Sequence, residues 1–303
     1  MMNKGFKSGF VGIIGAPNVG KSTLLNHFLQ EHLVIVSPKA QTTRNAIKAI
    51  YTTDNEQIVF IDTPGVHKAF TELGEFMNSS VNVSLEGLDL VLFMVDVSTD
   101  ITNLEKYAVS VLEKVKIPVV LVLNKIDLVE DSSVLEERIN EYKKLYNFAG
   151  GITICAESGD NCNKLLEIIT SYLPLGPMYY PDDQLLDAPM KFVVQEIIRE
   201  KVLYLTKEEV PHSVAVVVES FKPNPKVKDM QDILATIVVE RQSQKKIIIG
   251  AGGSMIKKIG MMARRDLVTI MGTKVYLELF VKVEENWRNN KSRLREYGYK
   301  IEK

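Results

Sequence analysis

Gly15-Ala16-Pro17-Asn18-Val19-Gly20-Lys21-Ser22 reads G-x-x-x-x-G-K-S and decides the fold of the first half of the chain. Apolar residues Phe10, Val11, Ile13 and Ile14 precede it as a short strand, and Thr23-Leu24-Leu25-Asn26-His27-Phe28-Leu29 continues it as a helix. Strand, glycine-rich turn, then helix is the setting a phosphate-binding loop needs. The two glycines permit a tight turn whose backbone N–H groups converge on phosphate oxygens. The helix opening at Ser22 directs its positive dipole end at the anion. Phosphate contact is assigned to the run Gly15, Ala16, Pro17, Asn18, Val19, Gly20, Lys21, Ser22 and Thr23. Within it Lys21 supplies a point charge to the β- and γ-phosphates, and the Ser22 hydroxyl ligates Mg²⁺.

Working outward, Ala46–Thr52 and Gln57–Ile61 predict two strands around an Asp54-Asn55 turn. From Leu90 strands and helices alternate: strands at Leu90–Val95, Pro118–Leu123 and Ile152–Cys155, helices at Leu104–Val115, Val134–Tyr146 and Leu165–Leu173. Continuous apolar strands between helices mean a mostly parallel sheet covered on both faces. Leu33–Val36 is a short apolar run, and Lys39-Ala40-Gln41-Thr42-Thr43-Arg44 reads as a loop.

Leu173-Pro174-Leu175-Gly176-Pro177-Met178-Tyr179-Tyr180-Pro181 breaks all periodicity. It sets the expected division: a first domain over 1–174, a linker over 175–188 and a second domain over 189–303. The second domain predicts a helix at Phe192–Leu205 and strands at Ser213–Phe221 and Ile233–Glu240. A helix at Lys245–Ile249, a glycine turn, a helix at Ser254–Met271 and a strand at Lys274–Val283 follow. In the long helix Met255, Ile256, Ile259, Met262, Ala263 and Ile270 recur at core spacing.

The chain of 303 residues has a net charge of −1, but the charge is unevenly spread. From Arg241 onward there are 15 Lys+Arg against 6 Asp+Glu. An acidic module joined to a basic one suggests an anionic partner for the latter. No apolar run reaches the ~20 residues of a membrane span, and the first strand begins too early to leave room for a leader segment. Two cysteines, Cys155 and Cys162, make neither a disulfide framework nor a zinc site and fit a reducing cytoplasm.

Three further motifs carry chemistry in the first domain. Asp62-Thr63-Pro64-Gly65 follows a strand; Asp62 would hold the metal through water, and the Gly65 N–H would sense the γ-phosphate, with Thr63, Pro64 and Val66 beside it. Asn124-Lys125-Ile126-Asp127 ends a strand and selects the base. The Asp127 carboxylate can accept from N1–H and the 2-amino group of guanine, donors that adenine lacks. Lys125 would lie along the base, and Asn124 would bridge back to the loop. Cys155-Ala156-Glu157 stands where Ser-Ala-x is usual; the Ala156 N–H can reach the guanine O6, and Cys155 braces the loop less well than Ser.

These ordered motifs resemble the translation-factor-related GTPases. The resemblance implies that Thr42 or Thr43, with Thr43 favoured, closes over Mg²⁺ as switch I. Val66 stands where a catalytic Gln would follow D-x-x-G, so hydrolysis relies on loop electrostatics or a supplied group. The expected intrinsic turnover is on the order of 10⁻⁴ to 10⁻² s⁻¹. Families with the same Pro-Asn in the loop use that Asn to hold K⁺, which makes Asn18 a candidate K⁺ ligand. Catalytic roles thus fall to Lys21, Thr43, Asn18 and Gly65, and metal binding to Ser22, Thr43 and Asp62. His67, which follows the turn, is read as uninvolved.

In the second domain Gly250-Ala251-Gly252-Gly253 fits the G-x-x-G loop with which KH domains clamp about four nucleotides of single-stranded RNA. Lys245, Lys246, Lys257, Lys258 and Arg264 flank it and supply phosphate charge. The loop itself carries none, since Ala251 and Gly252 stand where many such loops have Lys or Arg.

Taken with Gln41-Thr42-Thr43-Arg44 and Glu240-Arg241-Gln242-Ser243-Gln244-Lys245-Lys246, the whole chain resembles the Era-like GTPases, bacterial ribosome-assembly GTPases with a C-terminal KH domain. The implied fold is α/β: a P-loop GTPase domain with a mixed, mostly parallel sheet, followed by an α+β KH domain of the strands-first type. The implied function is a GTP-hydrolysing switch that binds the 3′ end of small-subunit (16S) rRNA and assists small-subunit assembly. GTP, GDP and Mg²⁺ are its cofactors, a bacterial cytoplasm its place and a monomer its state. Peripheral membrane association is linked to the family, without an independent sign in the sequence. Two other classes fit the residues: an RNA-binding scaffold with GTP as a structural ligand, and a GTPase acting on a protein or membrane partner.

Overall fold

The computed structural model describes residues 5–37, 39, 42–66 and 69–299; Gln41 and His67 lie outside the described residues. Two compact units result: Met1–Val34, Thr43–Phe70 and Gly74–Asp187 form the first, and Ile35–Thr42, Thr71–Leu73 and Ala188–Lys303 the second.

In the first unit the order is β1 (Lys7–Ile14), α1 (Lys21–Leu29), β2 (Ile47–Thr52), β3 (Glu56–Asp62), α2 (Glu72–Val83), β4 (Leu90–Asp96), α3 (Asn103–Leu112), β5 (Val119–Asn124), α4 (Ser132–Leu145), β6 (Gly150–Thr153) and α5 (Cys162–Tyr172). The sheet runs β2-β3-β1-β4-β5-β6. Only β2 against β3 is antiparallel, and the other pairs are parallel. Every residue of β4 from Leu90 to Val95 is buried, as a strand with helices over both faces requires. The C-terminal ends of β1, β3, β4 and β5 lead to Gly15, Asp62, Asp96 and Asn124, so the sheet alone brings three of the motifs to one edge.

Two departures from the sequence expectation have physical causes, while the short apolar run Leu33–Val36 is fixed outside the sheet by the Asn26 amide, which holds Val34 at both its N–H (2.9 Å) and its carbonyl (2.6 Å). The strand expected at Ile152–Cys155 lies earlier, where Gly150 and Gly151 pair with Val120 and Leu121. The stretch read as a linker is bound along the first unit as far as Asp187. Gly176 donates to Phe6, the buried Gln57 amide holds Tyr179 and Tyr180, and the Ile50 N–H donates to Leu185.

The second unit adds α6 (Met190–Leu205), α7 (Val210–Ser213), β7 (Ala215–Pro223), β8 (Met230–Val239), α8 (Gln242–Ile249), α9 (Ser254–Met271), β9 (Lys274–Val283) and α10 (Lys291–Glu296). β8 is central, antiparallel to β7 and parallel to β9. Left-handed glycines bracket α9: Gly253 at φ 82° and Gly272 at φ 61°, a conformation with little cost only without a Cβ. Its buried stripe is Ile259, Ala263 and Leu267. Met255, Ile256, Met262 and Ile270, expected in the core, are only half-buried. Among the described residues no helix is long and apolar enough to cross a membrane.

Candidate functional site

The loop from Gly15 to Ser22 is held by close backbone packing. A Cβ on Gly15 would stand 2.2 Å from the Met94 carbonyl oxygen, and one on Gly65 would meet the Pro17 nitrogen at 2.9 Å. Gly20 has φ 101° and Asn18 φ 65°, the left-handed region that Gly and Asn enter most readily. The Val66 N–H donates to the Gly15 carbonyl at 3.2 Å, tying the D-x-P-G turn to the loop. The Val66 side chain itself is buried in the core with Ile14, Ile61 and Phe93. It therefore cannot hold a water.

Ser22, Thr43 and Asp62 come together. The Asp62 Oδ2 accepts from Ser22 Oγ at 3.1 Å and Thr43 Oγ1 at 3.0 Å, and the two hydroxyls are 3.2 Å apart. The structure thus seats Thr43, not Thr42, beside Asp62; the Thr42 hydroxyl donates to the Lys39 carbonyl at 2.6 Å. The Thr63 hydroxyl donates to the Ile13 carbonyl at 2.7 Å and locks the turn to β1.

The electrostatics say what this group lacks. Burial pushes the Lys21 ammonium down to about 8, with Asp62 opposing that shift. Burial likewise pushes the Asp62 carboxyl up, opposed by Lys21, Thr43 and Ser22. Lys21 spends two of its donors on the Ala16 and Gly15 carbonyls at 3.0 and 3.3 Å. Among the described residues, Asp62 Oδ1 is buried without a hydrogen-bond partner. A buried cation held by two carbonyls, with a third N–H to spare, and a buried carboxylate with a spare oxygen fit an anion and a hard cation respectively. The residues present therefore fit a Mg²⁺–nucleotide polyphosphate.

The base side is braced through Asn124, which is buried. Its Nδ2 donates to the Val19 carbonyl at 2.8 Å, the bridge back to the loop, and its Oδ1 accepts the Ala156 N–H at 2.9 Å. The Ala156 N–H assigned to guanine O6 thus serves the brace in this structure. Asp127 is exposed and Ile126 half-buried. Lys125, expected along the base, pairs its ammonium with Asp96 at 2.5 Å. Asp96 has no place in N-K-x-D, and only the pairing of β4 with β5 reveals it. The Cys155 Sγ accepts the Ser158 N–H at 3.5 Å. Most of that loop's bracing is backbone: Cys155 N–H to Asp160 and Gly159 N–H to Cys155.

In the second unit Gly250 has φ 73°, and a Cβ there would meet the Met255 nitrogen and Cβ at 2.7 Å. Gly252 and Gly253 also have positive φ, but nothing lies within 4 Å of a Cβ on either. The loop is thus fixed at its first glycine and open above its last two, where a nucleic-acid backbone has room to approach. Ala251, Lys246, Lys257 and Lys258 are exposed and Lys245 is half-buried. Arg264, also exposed, donates its Nε to the Val275 carbonyl at 2.9 Å. Beside the loop a groove of about 510 Å³ runs between α9 and β9. Ile256, Gly260, Met261, Leu277 and Leu279 line it, with Lys257 and Arg264 at hand. The sequence missed this apolar wall, since Lys274–Val283 reads only as a strand and Ile256 as core.

A family model described as a 50S ribosome-binding GTPase matches residues 10–125, and a KH domain model matches residues 209–288. Among solved structures, Era in complex with MgGDPNP and nucleotides 1506–1542 of 16S ribosomal RNA is 38% identical. It covers 98% of this chain and 100% of its own, with a TM-score of 0.94. A variant of Aquifex aeolicus Era bound to GDP·AlF4⁻ is likewise 38% identical over 98% of this chain and 100% of its own, with a TM-score of 0.93. With both domains matched in order over nearly the full length, the chain belongs to the Era family of GTPases.

Proposed function

We propose that this chain is a GTP-hydrolysing switch that binds the 3′ end of small-subunit rRNA through its KH domain and assists small-subunit assembly in the bacterial cytoplasm. The observation that carries this is the meeting of Ser22 and Thr43 on Asp62 Oδ2, with Asp62 Oδ1 left without a hydrogen-bond partner among the described residues, in a chain alike over nearly its whole length to Era bound to 16S rRNA. The loop amides and Lys21 hold the β- and γ-phosphates, and Asp127 reads guanine. Ser22 and Thr43 take the metal, with Asp62 behind them through water. When bound, Mg²⁺ neutralises charge on the phosphate oxygens. Gly65 reports the γ-phosphate, and the GAGG loop clamps the RNA backbone.

The test is binding of an oligonucleotide of the 3′ end of small-subunit rRNA, with GDPNP and with GDP. Tighter binding with GDPNP is expected, with a log–log salt slope of about −3 for four clamped phosphates of a single strand. Gly253→Asp sets a carboxylate against those phosphates and should weaken binding by about tenfold or more. Unchanged binding in that variant would remove the loop from the interface. No binding in either nucleotide state would point to a protein or membrane partner instead.

With Val66 unable to orient the attacking water, stabilisation of the transition state must come from other groups. Asn18, exposed in the loop, is the residue we assign to K⁺. Turnover in KCl should exceed that in NaCl by about tenfold or more, as a fixed cation in the arginine-finger position gives. Equal rates in the two salts would sink the assignment.

A further inference from the structure

α6 buries four charged side chains, Glu196, Arg199, Glu200 and Lys201. Charges this deep are unfavourable unless each is paired and hydrogen-bonded. Lys201 is accounted for by Glu200 and Asp266. Glu196 pairs with Arg199 on the same helix, and Arg199 and Glu200 reach beyond it to Thr42 and Val36, which belong to the segment Ile35–Thr42 of the same compact unit. Glu200 Oε1 accepts the Val36 N–H at 2.9 Å. Arg199, held by Glu196 through Nε at 2.9 Å, donates from Nη2 to the Thr42 carbonyl. The segment is thus gripped near both of its ends.

The Thr42 carbonyl belongs to the peptide unit whose nitrogen is that of Thr43. Peptide units are planar, so fixing this oxygen sets the direction in which the chain enters Thr43. A charged donor on a carbonyl in a low-dielectric interior does so more strongly than an ordinary backbone hydrogen bond. If α6 had only to pack, aliphatic side chains would serve as well or better. α6 itself packs against α9, the helix that follows the GAGG loop, and against β7.

We propose that Arg199 and Glu200 form a two-point clasp on the segment that delivers Thr43, so that seating Thr43 at the metal and setting α6 are one equilibrium. The proposal rests on the assignment of Thr43 to the metal made above. Binding energies couple reciprocally: whatever fixes α6 favours GTP over GDP, and GTP favours that setting of α6. Arg199 and Glu200 are positioning residues, since neither touches nucleotide.

The test uses the full chain carrying Arg199→Met with Glu196→Met, which removes both members of the ion pair and leaves no lone buried charge. Affinities for GDPNP and GDP are measured, and then affinity for the rRNA oligonucleotide with each. GDPNP affinity should fall about tenfold, the worth of one charge-assisted hydrogen bond. GDP, which does not need Thr43, should bind within about twofold of wild type, and RNA affinity should cease to depend on the nucleotide. Glu200→Leu, which leaves Lys201 its Asp266 partner, releases the other end and should give the same selective loss, so the test stands even if the double variant does not fold. Equal loss of GDP and GDPNP affinity, or no loss of either, overturns the clasp. Thr43→Ala is measured alongside. If it weakens GDPNP while the clasp variants do not, only the clasp falls; if it leaves GDPNP untouched, the metal assignment falls and takes the clasp with it.

Discussion

Asp127→Asn should lower GTP affinity by about 10³-fold and create a site for XTP. The carboxylate presents two acceptors, and guanine offers two donors, N1–H and the 2-amino group. An Asn amide presents one acceptor and one donor, so its NH₂ faces the guanine amino group and both are left unsatisfied. Xanthine carries a carbonyl at C2, which accepts from that NH₂ while N1–H still donates to the amide oxygen. No neighbour can compensate for GTP. Asn124 has committed its Nδ2 to Val19 and its Oδ1 to the Ala156 N–H, and Lys125 is paired with Asp96. Asp127 is exposed, so the fold should keep its stability to within about 0.5 kcal/mol. Competition between GTP and XTP for one labelled nucleotide measures the switch. A variant that still prefers GTP would move base selection to the Ala156 loop.

The parts of this molecule legible in its sequence are those where a local pattern and a local structure coincide. The phosphate loop, the apolar runs of β4 and β5, and α9 between its glycines are of that kind, because short-range sterics and burial settle them. α2 was not legible. Its buried residues Leu73, Met77, Ser80 and Val81 have helical spacing, but Asn78-Ser79-Ser80 and Asn82 dilute the apolar signal. The ion pair of Lys125 could not be read, because its partner, Asp96, lies one strand away in space and 29 residues away in sequence. The stretch 175–187 reads as a tether by composition, yet its order comes from the Gln57 amide and the edge of β2, which no local pattern announces. The charges of α6 went unread for a similar reason. In sequence Glu196, Arg199, Glu200 and Lys201 look like a solvated helix face, and only their burial shows otherwise. That Ser22, Thr43 and Asp62 come together was readable because the motifs follow a fixed order; the pairings outside those motifs were not.

Lys21→Met should weaken nucleotide binding by at least about 100-fold and yet make the nucleotide-free protein more stable. In the folded chain burial holds the Lys21 ammonium down to about 8, against an ordinary 10.5. Keeping it charged at neutral pH therefore costs about 3 kcal/mol, at ~1.4 kcal/mol per tenfold step. Methionine fills a similar volume without that charge. Asp62 loses its cationic neighbour, but burial already raises its pKa, and protonation can neutralise it. A gain of ~1–3 kcal/mol, a few degrees in Tm, is the expected net. The loss on the other side is at least about 100-fold in GTP affinity, since a charge-assisted contact to the phosphates has gone. The pH dependence carries the same signature with a definite sign. Lys21 has a folded pKa below its unfolded one, so the unfolded chain binds this proton more tightly. The group's contribution to wild-type stability therefore rises from pH 8 to 10.5. Nucleotide affinity moves the opposite way, falling about tenfold per pH unit above 8 as the ammonium that meets the phosphates is lost. Both slopes should vanish in the methionine variant. A variant that melts lower than wild type without nucleotide, or one that GTP still stabilises, would mean that Lys21 holds the loop together and does not hold the phosphates.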